Sequence, residues 1–164
     1  MNQTLPQVTH EHHERILRHV DRMPEVADQL LAADTATALA GLDGLVTFLN
    51  DTLLPHIATA ETALYPELER MFQNRHSMAP MRREHAEVRR LVGSLTQLTA
   101  EVHAKGLTLS RTLGLRRVMF QLFAMLKIHL AEEEALLHLL EKGVTDDVAE
   151  LLIAAMAHTG TDLA

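Results

Sequence analysis

Four segments of this chain carry histidines and carboxylates at spacings that suit a metal ion: EHHERIL at 11–17, LLPHIATAETALYPELE at 53–69, EHAEVRRL at 84–91 and LKIHLAEEEALLHLLE at 126–141. Imidazole nitrogen and carboxylate oxygen are donors that suit iron, zinc or manganese. In the fourth segment His129 and Glu133 stand four residues apart, a spacing that puts both on one face of a helix. In the second, Ala60 occupies that position after His56, and the carboxylate comes one residue later at Glu61. The chain has 11 histidines against one tyrosine and no tryptophan, and they do not form a terminal tag. It has no cysteine, which excludes disulfides, thiolate zinc sites, iron–sulfur clusters and thiol catalysis.

The elements that must position these residues read as four long helices in one domain spanning 1–164. The first opens at Thr4-Leu5-Pro6, runs to about Ala33 and kinks at Pro24, which cannot donate to the helical ladder. The second follows Asp34 and runs to about Asn74, with Pro55 and Pro66 inside it. The third follows Ser77 and Pro80 and ends near Gly106. The fourth starts near Ser110 and loses periodicity around Lys142-Gly143, before a short segment from Asp146 to His158. Short connections make consecutive helices antiparallel neighbours. The fold class expected is therefore all-α: an antiparallel up-down-up-down four-helix bundle with a short C-terminal helix.

Helical wheels at about 100° per residue separate inward from outward groups. On the first helix the apolar stripe is Ile16, Leu17, Val20, Met23, Ala27 and Leu31, with His13 at its centre, His10 at one edge, and His12 and His19 facing away. On the fourth, His129 and Glu133 lie inside the stripe Leu115, Val118, Met119, Leu122, Leu126, Leu136, Leu137 and Leu140, flanked by Glu132 and Glu134. A carboxylate in an apolar stripe carries a desolvation cost of several kcal/mol unless something pairs with it. No lysine or arginine lies centrally in the stripes of the first, second or fourth helix, so a metal ion is the economical partner for Glu133.

The second helix has His56 toward one side of Leu42, Leu45, Val46, Leu49, Leu53, Ala60, Leu64 and Met71. Glu61 lies about 140° round from His56 on an ideal helix. Unwinding near Pro66, which removes the hydrogen bond to the Thr62 carbonyl, would bring it in. On the third helix His85 borders the stripe Met78, Met81, Val88, Val92, Leu95 and Val102. One histidine on an apolar face is by itself better read as a satisfied boundary residue; four, one per helix at mid-bundle height, reverse that reading. His10 and His12 stand as alternatives to His13, and Glu134 as an alternative to Glu133. His19, His76, His103, His138 and His158 read as surface or boundary residues.

The remaining composition narrows the class. A net charge of −7 argues against non-specific nucleic-acid binding. No apolar run reaches the ~18 residues of a membrane-spanning helix. MNQTLPQVTHEHHER lacks a charged region followed by an apolar stretch, so a cytoplasmic protein is the plain expectation.

These motifs resemble those of the hemerythrin-like proteins, the HHE cation-binding domains. The likeness runs from about Val8 to Glu141 and rests on EHH (11–13), PHIATAETALYPEL (55–68), MRREHAEV (81–88) and HLAEEEALLHLLE (129–141). The resemblance implies a non-haem di-iron centre inside the bundle: two Fe ions, oxo- or hydroxo-bridged, with zinc or manganese as alternatives. It implies His13, His56, Glu61, His85, His129 and Glu133 as the ligands, and dioxygen, peroxide or a similar small molecule as partner. Oxygen carriers of this family have HxxxH on the third helix, where Met81 or Arg89 stands here, and HxxxE on the second, where Ala60 precedes Glu61. These departures point away from reversible dioxygen carriage. They point toward relatives associated with oxygen, iron or oxidative-stress sensing or binding, or toward an enzyme decomposing hydrogen peroxide or activating dioxygen. They also suggest one well-furnished ion and one looser, more open one.

Overall fold

The computed structural model describes residues 5–31, 34–140, 149–150 and 153–154. The described residues form four long helical rods and no strand. The first rod is α1 (Leu5–Val20) followed by α2 (Met23–Gln29). The break at Asp21-Arg22 precedes Pro24, which has no N–H for the carbonyl one turn back. That break resets the phase of the apolar face. Leu30 is 3% exposed and packs into the core, while Leu31, expected to face inward, is 57% exposed.

The second rod opens on Asp34, whose carboxylate accepts from the Ala36 and Thr37 amides and caps the first turn. It runs through α3 (Thr35–Phe48), a π turn (Leu49–Leu53), α4 (Leu54–Thr59), a second π turn (Ala60–Leu64) and α5 (Tyr65–Met71). Each π turn precedes a proline, Pro55 or Pro66, and the cause is local. The Tyr65 amide reaches back five residues to the Ala60 carbonyl, as Leu54 does to Leu49. The Glu61 carbonyl then loses its usual donor, and Pro66 has none to offer. The Arg82 guanidinium donates to that carbonyl at 3.2 Å.

The third rod is α6 (Ala79–Lys105), with Pro80 in its first turn and Gly106 ending it at φ 79°, a conformation that favours glycine. The fourth is α7 (Leu109–Leu140). Of the segment expected from Asp146 to His158, Ala149, Glu150, Ile153 and Ala154 are described and helical. Its other residues lie outside the described residues, as does Thr4.

Pairs between rods run in opposite residue order. Asp43–His103, Glu61–Arg89 and Glu69–Arg82 join the second rod to α6. His10–Glu134, Asp21–Lys127 and Asp28–Arg116 join the first rod to α7. Apolar packing falls into a larger cluster from Ile16 to Leu130 and a smaller one around Leu64, Leu68, Met78, Met81 and Leu137. The inward histidines lie where one cluster gives way to the other. No helix among the described residues is long and apolar enough to cross a membrane.

Candidate metal centre

Each rod brings one histidine to the same interior level, and α7 adds Glu133, which is 0% exposed. His13, His56 and Glu133 offer donor atoms within 4.8 Å of one another, and so do His85, His129 and Glu133. Glu133 is common to both groups. Its Oε2 lies 3.2 Å from His13 Nε2 and 3.2 Å from His56 Nε2. His85 Nε2 and His129 Nε2 are 2.9 Å apart. All four imidazoles thus present the same nitrogen to the interior.

The other nitrogen of every imidazole is held from a neighbouring rod. His13 Nδ1 lies 2.9 Å from Glu134 on α7, His129 Nδ1 2.8 Å from Glu84 on α6, and His85 Nδ1 3.0 Å from Glu61 on the second rod. His56 Nδ1 lies 2.9 Å from His12 Nε2 on α1. The four outer partners make a closed ring, each rod supporting the histidine of the next. Each partner also adjoins an inward position in sequence: His12 by His13, Glu61 by Ala60, Glu84 by His85, Glu134 by Glu133. Neighbouring residues on a helix differ by about 100°, so one aims at the bundle axis and the next at the adjacent rod.

This ring assigns protons and tests whether a cation fits. A carboxylate only accepts, so His85 and His129 donate from Nδ1 and, when neutral, keep lone pairs on Nε2. Two lone pairs then face each other at 2.9 Å, an arrangement that a shared cation relieves. Among the described residues two buried polar atoms have no hydrogen-bond partner, His13 Nε2 and Glu133 Oε1, and both belong to residues of these donor groups. The donor set fits a pair of nitrogen- and oxygen-liking cations.

Electrostatics at the site follow from burial and these contacts. Burial disfavours the charged form of Glu133, but His13 and His56 outweigh it and hold its carboxyl well below the usual range. Burial also opposes charge on His13, yet Glu133 and Glu134 overcome it and raise its pKa. Burial, reinforced by His129, lowers His85 to about 4. Burial and then the neighbouring His56 lower His12 to about 3.

Of the six residues expected from the sequence, His13, His56, His85, His129 and Glu133 meet in the two groups. Glu61 stands outside both. The expected local unwinding is present as the second π turn, but the Glu61 carboxylate binds His85 Nδ1 and, at 3.0 and 2.7 Å, the Arg89 guanidinium. The two groups have equal numbers of histidines, so the expected asymmetry does not appear in that count. His12 corrects the wheel: it is 2% exposed rather than outward, because α1 packs against two rods and His12 faces the second. His10 stays exposed and pairs with Glu134. His19 is half-buried and stacked on Phe48, with ring centroids 4.3 Å apart.

Sequence reasoning gave no role to Glu84 or Tyr65, and it weighed Glu134 only as an alternative to Glu133. Adjacency to an inward residue is the signal that finds Glu84 and Glu134. Removing either leaves the inward donors in place but frees an imidazole. Glu84→Ala or Glu134→Ala is therefore expected to weaken metal binding about 10- to 100-fold with the helical content unchanged. Competition against a chromophoric chelator measures this, and unchanged affinity in both variants contradicts the outer ring's role.

The model of the hemerythrin HHE cation binding domain matches residues 4–113, more than half of the chain. The match ends in the first turns of α7, so His129 and Glu133 rest on the geometry given above. No curated protein and no solved structure matches the chain.

Proposed function

The chain belongs to the hemerythrin HHE cation-binding family, and on that premise we propose that it holds two iron ions and uses them to bind or sense oxygen, iron or a related small species. His13, His56 and Glu133 would hold one ion, and His85, His129 and Glu133 the other. The reversed order of cross-rod pairs supports an up-down-up-down bundle around them. The observation that carries this reading is Glu133, a fully buried carboxylate shared by two histidine pairs that all turn Nε2 toward it. Bound iron would supply a reversible change of oxidation state and open coordination positions.

The chain's own residues do the rest. Glu84, Glu134, Glu61 and His12 hold the direction of the four imidazoles, and the three carboxylates also place a proton on Nδ1 of His129, His13 and His85. We place Glu61 in this outer set, acting through His85 with Arg89 as its counter-charge. A cleft of about 260 Å³ lined by His10, His13, Leu17, Lys127 and Glu134 lies on the outer side of His13. The partner proposed is a small molecule, in keeping with the net charge of −7, which disfavours nucleic acid.

Ala60, buried and without a donor at the HxxxE position, favours a second reading in which an open position serves peroxide decomposition or dioxygen activation. Ferrous protein exposed to dioxygen and then degassed separates the two. A reversible spectral change without turnover of hydrogen peroxide is expected for the binding module. Peroxide turnover lost in His129→Ala and Glu133→Ala establishes the enzyme instead.

A further inference from the structure

The interior of the centre holds one more polar atom, the hydroxyl of Tyr65. Tyr65 opens α5 directly after the second π turn and is completely buried. Its oxygen lies 3.2 Å from His85 Nε2, the inward nitrogen of that imidazole. The π turn explains how it arrives there. On an ideal α-helix residues 60 and 65 are about 140° apart. The five-residue hydrogen bond from the Tyr65 amide to the Ala60 carbonyl closes much of that angle, so the phenol occupies the side where Ala60 has no donor.

The ring has two further partners. It stacks on the His85 imidazole with centroids 5.3 Å apart and planes 12° from parallel. The Arg82 guanidinium lies 5.4 Å from the ring centroid. Two donors at about 2.1 Å from one cation and at right angles are about 3 Å apart. The Tyr65–His85 separation of 3.2 Å and the His85–His129 separation of 2.9 Å both match that spacing.

We infer that Tyr65 is a metal-ligating residue: its phenol oxygen is a third inward donor to the ion held by His85 and His129, in place of the carboxylate that Ala60 lacks. This rests on the metal-centre reading above. Ligation breaks the phenol O–H bond, forms an oxygen–metal bond and releases the proton to solvent, with no change of oxidation state. A ferric ion favours this step because a bound cation stabilises the deprotonated ligand. The two ions then differ after all, one having two imidazoles and Glu133, the other having these donor types plus a phenolate.

The test uses the iron-loaded full chain, and the composition makes it clean. The sequence has one tyrosine and no cysteine, so a phenolate signal comes from Tyr65 and a thiolate signal cannot arise. The ferric protein is expected to show a visible phenolate-to-iron charge-transfer band. Raman excitation in that band is expected to enhance tyrosine ring modes that shift when the tyrosine is ring-deuterated. Tyr65→Phe is expected to lose the band and the modes while keeping two iron equivalents. Wild-type protein with two bound irons and no enhanced tyrosine modes overturns the proposal. If Tyr65→Phe fails to fold or to hold iron, the isotope shift in the wild type decides alone. A chain that takes up no iron overturns the metal-centre reading and this proposal with it, and the metal count tells that failure from the spectroscopic one.

Discussion

Glu133→Gln is expected to abolish binding of both ions at once, with an affinity loss exceeding about a hundredfold at each. Removing an outer-shell partner costs roughly 10- to 100-fold, and Glu133 is an inner donor shared by both groups. Glutamine keeps the volume and one acceptor, so the fold is expected to persist in circular dichroism. His13→Ala and His85→Ala are the comparison. Each removes a donor from one group, and each is expected to leave one equivalent bound where Glu133→Gln leaves none. Equal, additive losses across the three variants would mean that the two groups do not share Glu133.

Metal removal is expected to produce the largest change in stability. A ligand at about a thousand times its dissociation constant stabilises the folded state by about 4 kcal/mol per site. For a chain of this length each kcal/mol moves Tm by about 2–4 °C, so chelation is expected to lower Tm by about 10 °C or more. The metal-free protein should then be sensitive to acid. His85, lowered to about 4, and His12, lowered to about 3, contribute stability that is fully present above the unfolded value of 6.5. That contribution is lost as pH falls toward 4, because the unfolded chain takes up protons first. Glu133 acts in the same direction at lower pH: its depressed pKa gives stability present above the ordinary carboxylate value and lost on acidification. His13 acts oppositely, its raised pKa giving stability at low pH that fades as pH rises. Between pH 5 and pH 7 the two lowered histidines act against the one raised, and the metal-free Tm is expected to be lower at pH 5 than at pH 7. Thermal scans at both values, with and without chelator, measure the two effects. A Tm unmoved by chelation is the outcome of a metal-free helical interaction module.

The sequence showed the four rods because their apolar stripes, the Asp34 cap, Gly106 and the prolines are local signals. It showed His13, His56, His85, His129 and Glu133 because polar groups within apolar stripes demand partners. Phase was harder to read. A wheel assumes one unbroken helix facing one neighbour, and the break before Pro24 exchanges Leu30 for Leu31. The fit between α1 and two rods buries His12 on a side the wheel left open. The second π turn moves Glu61 and Tyr65 together. It leaves Glu61 on the outer side of His85 and brings the phenol inward, an exchange that residue spacing alone does not reveal. The family resemblance put Glu61 in the ligand set, and the structure sets its carboxylate against His85 Nδ1 and the Arg89 guanidinium.

The pair of ions is the claim on which the rest depends, and its direct measurement is the metal content of the freshly purified protein after iron-replete expression. Two equivalents of iron per chain are expected. Less than one equivalent of any transition metal contradicts a two-ion centre built on Glu133.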